Sequence, residues 1–173
     1  MAIRRIHLAH ESVLRQVAKP VNRFDGKLQA LIDDMFETMH SAPGIGLAAP
    51  QVGESVRLFV AEWPEDDEDP ESLTPYAIVN PVIEERSDTT EKDIEGCLSI
   101  PETRVEVERP TAVTVSGQGP SGEPVRVEAE GLLARIFQHE IDHLDGVLIL
   151  DRTDRESRKN AMREMRERMM ARR

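Results

Sequence analysis

His139-Glu140-Ile141-Asp142-His143 sets two imidazoles four residues apart, with a carboxylate directly after the first. On an α-helix, positions i and i+4 stand one above the other on one face, so both rings can grip one metal ion. Glu140 then reaches a water on that ion, a water acidic enough to ionise near neutral pH. The chemistry of such a group is hydrolysis, and a carbonyl compound is the expected substrate. The plainer reading of the same residues is a helix carrying two surface or core histidines. The flanks favour a buried helix over about 131–144, because Leu132, Leu133, Ile136, Phe137, Ile141 and Leu144 form a broad apolar surface. Gly131 opens it and Gly146 stands where a left-handed C-terminal cap is expected.

A catalytic site of this kind takes three protein ligands and leaves one position for water. His7, His10 and His40 lie near the N-terminus with no motif around them. A downstream carboxylate, Glu164 or Glu167, is one alternative, although both sit among arginines that are natural i±4 partners. Cys97, the lone cysteine, is the better candidate, since a thiolate is a soft, strong ligand for iron or zinc. Against it stands the common fate of lone cysteines, which is to be small buried hydrophobes.

The elements that must position these groups are partly readable. Residues 11–18 suit a short turn or helix. Leu28, Leu31, Ile32, Met35, Phe36 and Met39 follow helical spacing, predicting a core-facing helix from about Asp25 to Ser41. Gly44–Gly53 is too rich in small residues for a helix and too irregular for a strand, and matches no phosphate-binding pattern. Arg57–Ala61 reads as a strand, residues 62–75 as an acidic surface loop, and Ala77–Val79 as a short strand ended by Asn80-Pro81. Val105, Val113, Val115, Val125 and Val127 alternate as strands do, with a turn cluster over 117–122. A charged helix is expected over 153–171. Strands in a block with helices before and after predict an α+β fold: antiparallel sheets around the motif helix, with one helix near the N-terminus and one at the C-terminus.

The chain of 173 residues suits one domain and carries a net charge of −11. Residues 152–173 hold nine basic and four acidic side chains, a balance of +5, against thirteen and twenty-nine elsewhere, a balance of −16. The basic end is either a solvated mixed-charge helix or an interaction tail. No apolar run reaches a membrane span, the first residues lack a secretory h-region, and a single cysteine excludes an internal disulfide, so a reducing cytoplasmic setting is expected.

Gly44-Ile45-Gly46-Leu47-Ala48-Ala49-Pro50-Gln51, Glu95-Gly96-Cys97-Leu98-Ser99 and Gln138-His139-Glu140-Ile141-Asp142-His143, in that order, resemble the three signature motifs of peptide deformylases of bacterial type. The resemblance covers nearly the whole chain. Its departures are the acidic 62–75 segment and Arg135, where an apolar residue is common. It implies removal of the formyl group from formyl-methionine at the start of nascent polypeptides, with release of formate. It implies ferrous iron, exchangeable for nickel, cobalt or zinc, on Cys97, His139 and His143, with water as fourth ligand. Glu140 becomes the proton carrier, and the Gln51 amide and Leu98 N–H become oxyanion donors. Ile45, Gly46, Leu132 and Ile136 are the candidate substrate contacts, and Glu95 a candidate anchor for the Cys97 loop. Asp142 and Asp145 have no assignable role, and Asp142 is compatible with a solvent-facing position. A monomer is implied, with Arg155, Arg158, Lys159, Arg163 and Arg166 available for ribosomal RNA phosphate. Two other readings stay open: a peptidase for internal bonds with a downstream carboxylate ligand, and a ribosome-associated module with a structural metal. Glu140 and Gln51 argue against the latter, which needs neither.

Overall fold

In a computed structural model that describes residues 1–64 and 68–172, the chain forms two antiparallel sheets around a central helix. A short 3-10 turn, Ser12–Arg15, is followed by helix α1, Gly26–Ser41, whose N-terminus is capped by Asp25 accepting from the N–H groups of Lys27 and Leu28. Then come β1 Gly46–Ala48, a 3-10 turn Ala49–Val52, β2 Leu58–Pro64, β3 Leu73–Arg86, β4 Thr90–Cys97, β5 Ile100–Pro110, β6 Ala112–Gln118 and β7 Pro124–Glu130. The motif helix α2 spans Gly131–Leu144, and α3, Ile149–Arg152, leads into α4, Arg155–Ala171. The larger sheet has the order β1-β2-β3-β6-β7, while β4 and β5 pair as a separate hairpin.

Alternation along β2 explains how the large sheet is covered. Phe59 and Ala61 pack with Phe137 and Ile141 of α2, whereas Leu58 and Val60 pack with Leu31, Met35 and Met39 of α1. A strand buried on both faces needs a continuous apolar run, and Leu58-Phe59-Val60-Ala61 is one. Phe137 anchors the α2 side, with its ring 5.4 Å from Phe59 and 5.2 Å edge-on to Tyr76. A third cluster joins Val105 and Val107 of the hairpin to Ile149, Leu150 and Ala161, with Cys97 and Met165 packed against it.

Three expectations need correction, and one strand was not foreseen. Gly46–Ala48 is a strand, paired with β2, because three residues of regular backbone suffice at a sheet edge. Asn80-Pro81 does not end β3; register shifts on either side of Val82 absorb the proline, and Asn80 takes φ +52°, a conformation asparagine tolerates. The acidic segment is shorter than 62–75, since β2 runs to Pro64 and β3 starts at Leu73; residues 65–67 lie outside the described part. Strand β4 escaped notice altogether, because its one fully buried side chain is a charged one, Glu95.

Asn80 also ties the N-terminal segment to the sheet. Its side chain accepts from Val21 N–H at 2.8 Å and donates to Val21 O and Gln118 Oε1, both at 2.9 Å. Asn80→Ala removes these three bonds and puts a poorer residue at positive φ, so a loss of roughly 2–3 kcal/mol is expected in urea unfolding. An unchanged midpoint would show that the bulge does not depend on that side chain.

Candidate metal centre

The donor atoms of Cys97, His139 and His143 all lie within 4.8 Å of one another, the only such cluster of His, Cys, Asp or Glu among the described residues. Cys97 ends β4, where the register with β5 shifts after Gly96, and its Sγ stands 3.4 Å from His143 Nε2. The two imidazoles face each other edge-on, 5.0 Å apart. Neither Glu164 nor Glu167 belongs to the cluster, and Glu164 pairs with Arg168 at 3.8 Å. His7 and His40 are engaged elsewhere, with Glu11 and Glu62.

One sulfur and two imidazole nitrogens form a donor set suited to iron or zinc. Two further observations fit a metal. His143 is fully buried, and burial first, then the charges on His139 and Arg109, hold its pKa well below the ordinary value, so it stands neutral as a ligand must. The buried Oε2 of Glu140 has no hydrogen-bond partner among the described residues, so an acceptor is left beside the three donors.

Buried charge surrounds this set. Glu95, two residues before Cys97, accepts from His139 Nδ1 at 3.0 Å, from Arg109 Nη2 at 2.9 Å, and from Arg109 Nε and Arg135 Nη1 at 2.6 Å each. Arg109 reaches on to Asp142 at 2.9 Å, and Arg152 closes the chain on the other Asp142 oxygen at 2.9 Å. Asp142 is therefore buried in an ion-pair network and does not face solvent. Burial pushes the Glu95 carboxyl up, but the bonds from His139 and Arg109 outweigh it and hold the pKa at about 2. Burial disfavours charge on His139; its contacts with Cys97, Glu95 and Glu140 prevail, and its pKa lies well above the ordinary value. A bound metal would displace that proton. Glu140 goes the other way: burial raises it to about 7, with His139 pulling down and Glu95 pushing up.

Gln51 and Gly46 bring the first motif to the second and third. The Gln51 Oε1 accepts from Ala48 N–H at 2.9 Å, which turns its amide nitrogen toward Ser99 Oγ at 3.1 Å and Cys97 Sγ at 3.7 Å. A Cβ at Gly46 would stand 2.7 Å from Glu140 Oε1, so only glycine lets β1 pass the carboxylate. Gly46 thus makes room for Glu140, a role the sequence did not disclose. Leu98 sits in the β4–β5 turn, its side chain against Gly44. A cavity of about 590 Å³ opens beside the cluster, lined by Ile45, Gly46, Leu132 and Ile136 as well as Cys97 and Glu140. Arg109 and Ser99 were not anticipated. The signal for Arg109 was present, because Thr103, Val105, Val107 and Arg109 are the inward positions of one period-two strand.

Residues 3–159 match the sequence profile of the Polypeptide deformylase family. The chain belongs to that family. It is 48% identical over 151 residues to the peptide deformylase of Brucella suis biovar 1, covering 87% of this chain and 85% of the relative. The crystal structure of a peptide deformylase from Legionella pneumophila superposes with a TM-score of 0.88 at 42% identity, covering 99% of each chain. That of a peptide deformylase from Synechococcus elongatus in complex with actinonin gives 0.84 at 46% identity, over 92% of this chain and 85% of the other. The activity comes with the family: this deformylase is a metal-dependent hydrolase that removes the formyl group from the N-terminal methionine of newly made polypeptides and releases formate.

The depressed Glu95 pKa has a consequence for acid stability. An unfolded carboxyl near 4.5 binds protons that the folded one, near 2, refuses. The contribution, on the order of 3 kcal/mol, is therefore complete above pH 4.5 and drains away as pH falls toward 2. Urea unfolding of the metal-free protein between pH 6 and 3 should show this slope, and Glu95→Gln should flatten part of it. Parallel pH profiles for the two proteins would remove Glu95 as its source.

Proposed function

We propose that Cys97, His139 and His143 hold the metal of this deformylase and that Glu140 moves the proton. The observation that carries the reading is the convergence of those three donor atoms within 4.8 Å beside a cavity that Glu140 also lines. When bound, the metal supplies Lewis acidity, polarising the formyl carbonyl and making water nucleophilic near neutral pH. Ferrous iron is the proposed ion, with nickel, cobalt or zinc able to replace it, in keeping with one soft sulfur and two imidazole donors.

Glu140, with its pKa near 7, is matched to accept the proton of the attacking water and return it to the departing amine. An amide nitrogen leaves poorly unless protonated, so the second transfer matters as much as the first. The Leu98 N–H and the Gln51 amide are the proposed oxyanion donors; support for Gln51 comes from its fixed carbonyl, which leaves only the NH2 end facing the Cys97 side. Ile45, Leu132 and Ile136 give the cavity the apolar wall that a methionine side chain requires, and Gly46 keeps the approach open. The whole chain acts as one catalytic domain and as a monomer in the cytoplasm. Among the described residues no helix is long and apolar enough to cross a membrane.

Formate release from formyl-Met-Ala, with none of the acid product from acetyl-Met-Ala, tests the reading. Glu140→Gln should lower kcat/KM on the formyl peptide by at least ~100-fold with metal content unchanged. A variant with near-normal turnover would transfer the proton role to another group.

For the basic end, we propose contact with ribosomal RNA. Arg155, Arg158, Lys159, Arg163 and Arg166 lie exposed along α4, whereas Arg168 is occupied with Thr103 and the Pro101 carbonyl. Replacing Arg155, Lys159, Arg163 and Arg166 by Gln should weaken ribosome cosedimentation and reduce its salt dependence, with hydrolysis of short formyl peptides intact. Cosedimentation that does not change would confine α4 to packing.

A further inference from the structure

Arg135 is a buried cation on the motif helix, outside the His139–His143 motif itself. Its guanidinium makes three contacts with the β4–β5 hairpin. Nη1 donates to Glu95 Oε2 at 2.6 Å and to the Val107 carbonyl at 2.9 Å, and Nη2 donates to the Glu91 carbonyl at 2.8 Å. One side chain of α2 thus holds both strands of the hairpin whose first strand ends in Cys97. It also completes Glu95. Two carboxylate oxygens offer about four acceptor positions, and here Arg109 takes two, His139 one and Arg135 the fourth.

Charge counting points the same way. Glu95 and Asp142 are both buried, and Arg109 serves both. Arg152 reaches only Asp142, and its own side chain is half exposed. Without Arg135, two buried carboxylates would share a single buried guanidinium, and Glu95 would have less reason to stay where His139 Nδ1 finds it. Arg109, on β5, bonds Asp142 of α2, and Gln138 of α2 donates to the Pro110 carbonyl at the far end of β5, so among these contacts only Arg135 ties α2 to the backbone of β4. The planar fork of Arg135 reaches a carboxylate and two carbonyls at once, a geometry that a lysine ammonium does not reproduce.

We infer that Arg135 is a positioning residue for the metal ligands, locking Glu95 behind His139 and fixing the Cys97 strand against the helix that carries both histidines. The inference rests on the proposed Cys97, His139 and His143 site, and the test separates the two. The full chain, unsubstituted and as Arg135→Met and Arg135→Lys, is loaded with cobalt(II). Affinity is read by chelator competition, and the sulfur-to-cobalt absorption is recorded. Partners behind a metal's ligands typically govern its affinity by ~10–100-fold. Arg135→Met should lose that much affinity with an altered absorption, and Arg135→Lys, which restores the charge beside Glu95 but not the fork, should recover part of it. If Arg135→Met does not fold, Arg135→Lys decides alone: weaker binding with a changed spectrum upholds the inference. Affinity within twofold of the unsubstituted protein and an identical spectrum, in whichever variant is read, overturn it while leaving the metal site standing. Absence of sulfur-to-cobalt absorption in the unsubstituted protein would sink the site itself and Arg135's role with it.

Discussion

Cys97 ends a strand of a two-stranded hairpin, and His139 and His143 ride on a helix packed mainly against the other sheet. No local backbone rule sets the distance between them, so something between hairpin and helix must. The structure puts buried ionic contacts there. Glu95 on β4, Arg109 on β5, and Arg135, His139 and Asp142 on α2 form one connected set in which every Glu95 acceptor position is filled. Buried charges are costly unless paired and fully hydrogen-bonded, and such a set gains specificity of arrangement more surely than net stability. That is what a metal centre assembled from separate elements needs: small errors in ligand placement matter more than a few kcal/mol of folding energy.

Close approach is the second requirement. The loop after α1 must bring Gln51 to the sulfur side of the site while letting Glu140 stand free. Gly46 allows β1 to cross the Glu140 carboxylate with no Cβ in the way, and the 3-10 turn at Ala49–Val52 aims Gln51 back at Ser99 and Cys97. The first motif is therefore rich in small residues for a packing reason as well as a chemical one. Two of its apolar members, Leu47 and Ala48, are fully buried on opposite faces of the sheet.

The helices were legible because their apolar spacing is strong. The bounds 131–144 for α2 agree with those observed, and α1 differs by one residue at its start. The donors were legible as residue types, since Cys97 is the only cysteine and His139 and His143 share a helix face. What stayed hidden was polar. Strand β4 shows no apolar alternation because its inward residue is Glu95, and β3 hides its length behind Asn80-Pro81. The role of Asp142 was invisible because its partner Arg109 lies 33 residues away, on another element. Arg135 looked like an anomaly in the helix, and it becomes intelligible only when the hairpin carbonyls above it are known.

The central claim is that one sulfur and two imidazole nitrogens from these elements bind one ion. X-ray absorption at the metal edge of the zinc-loaded protein reads that shell directly. The expected result is a first shell containing one sulfur from Cys97 with two imidazole nitrogens, and loss of the sulfur in Cys97→Ser. A shell of nitrogen and oxygen alone, identical in the unsubstituted and Cys97→Ser proteins, would contradict it.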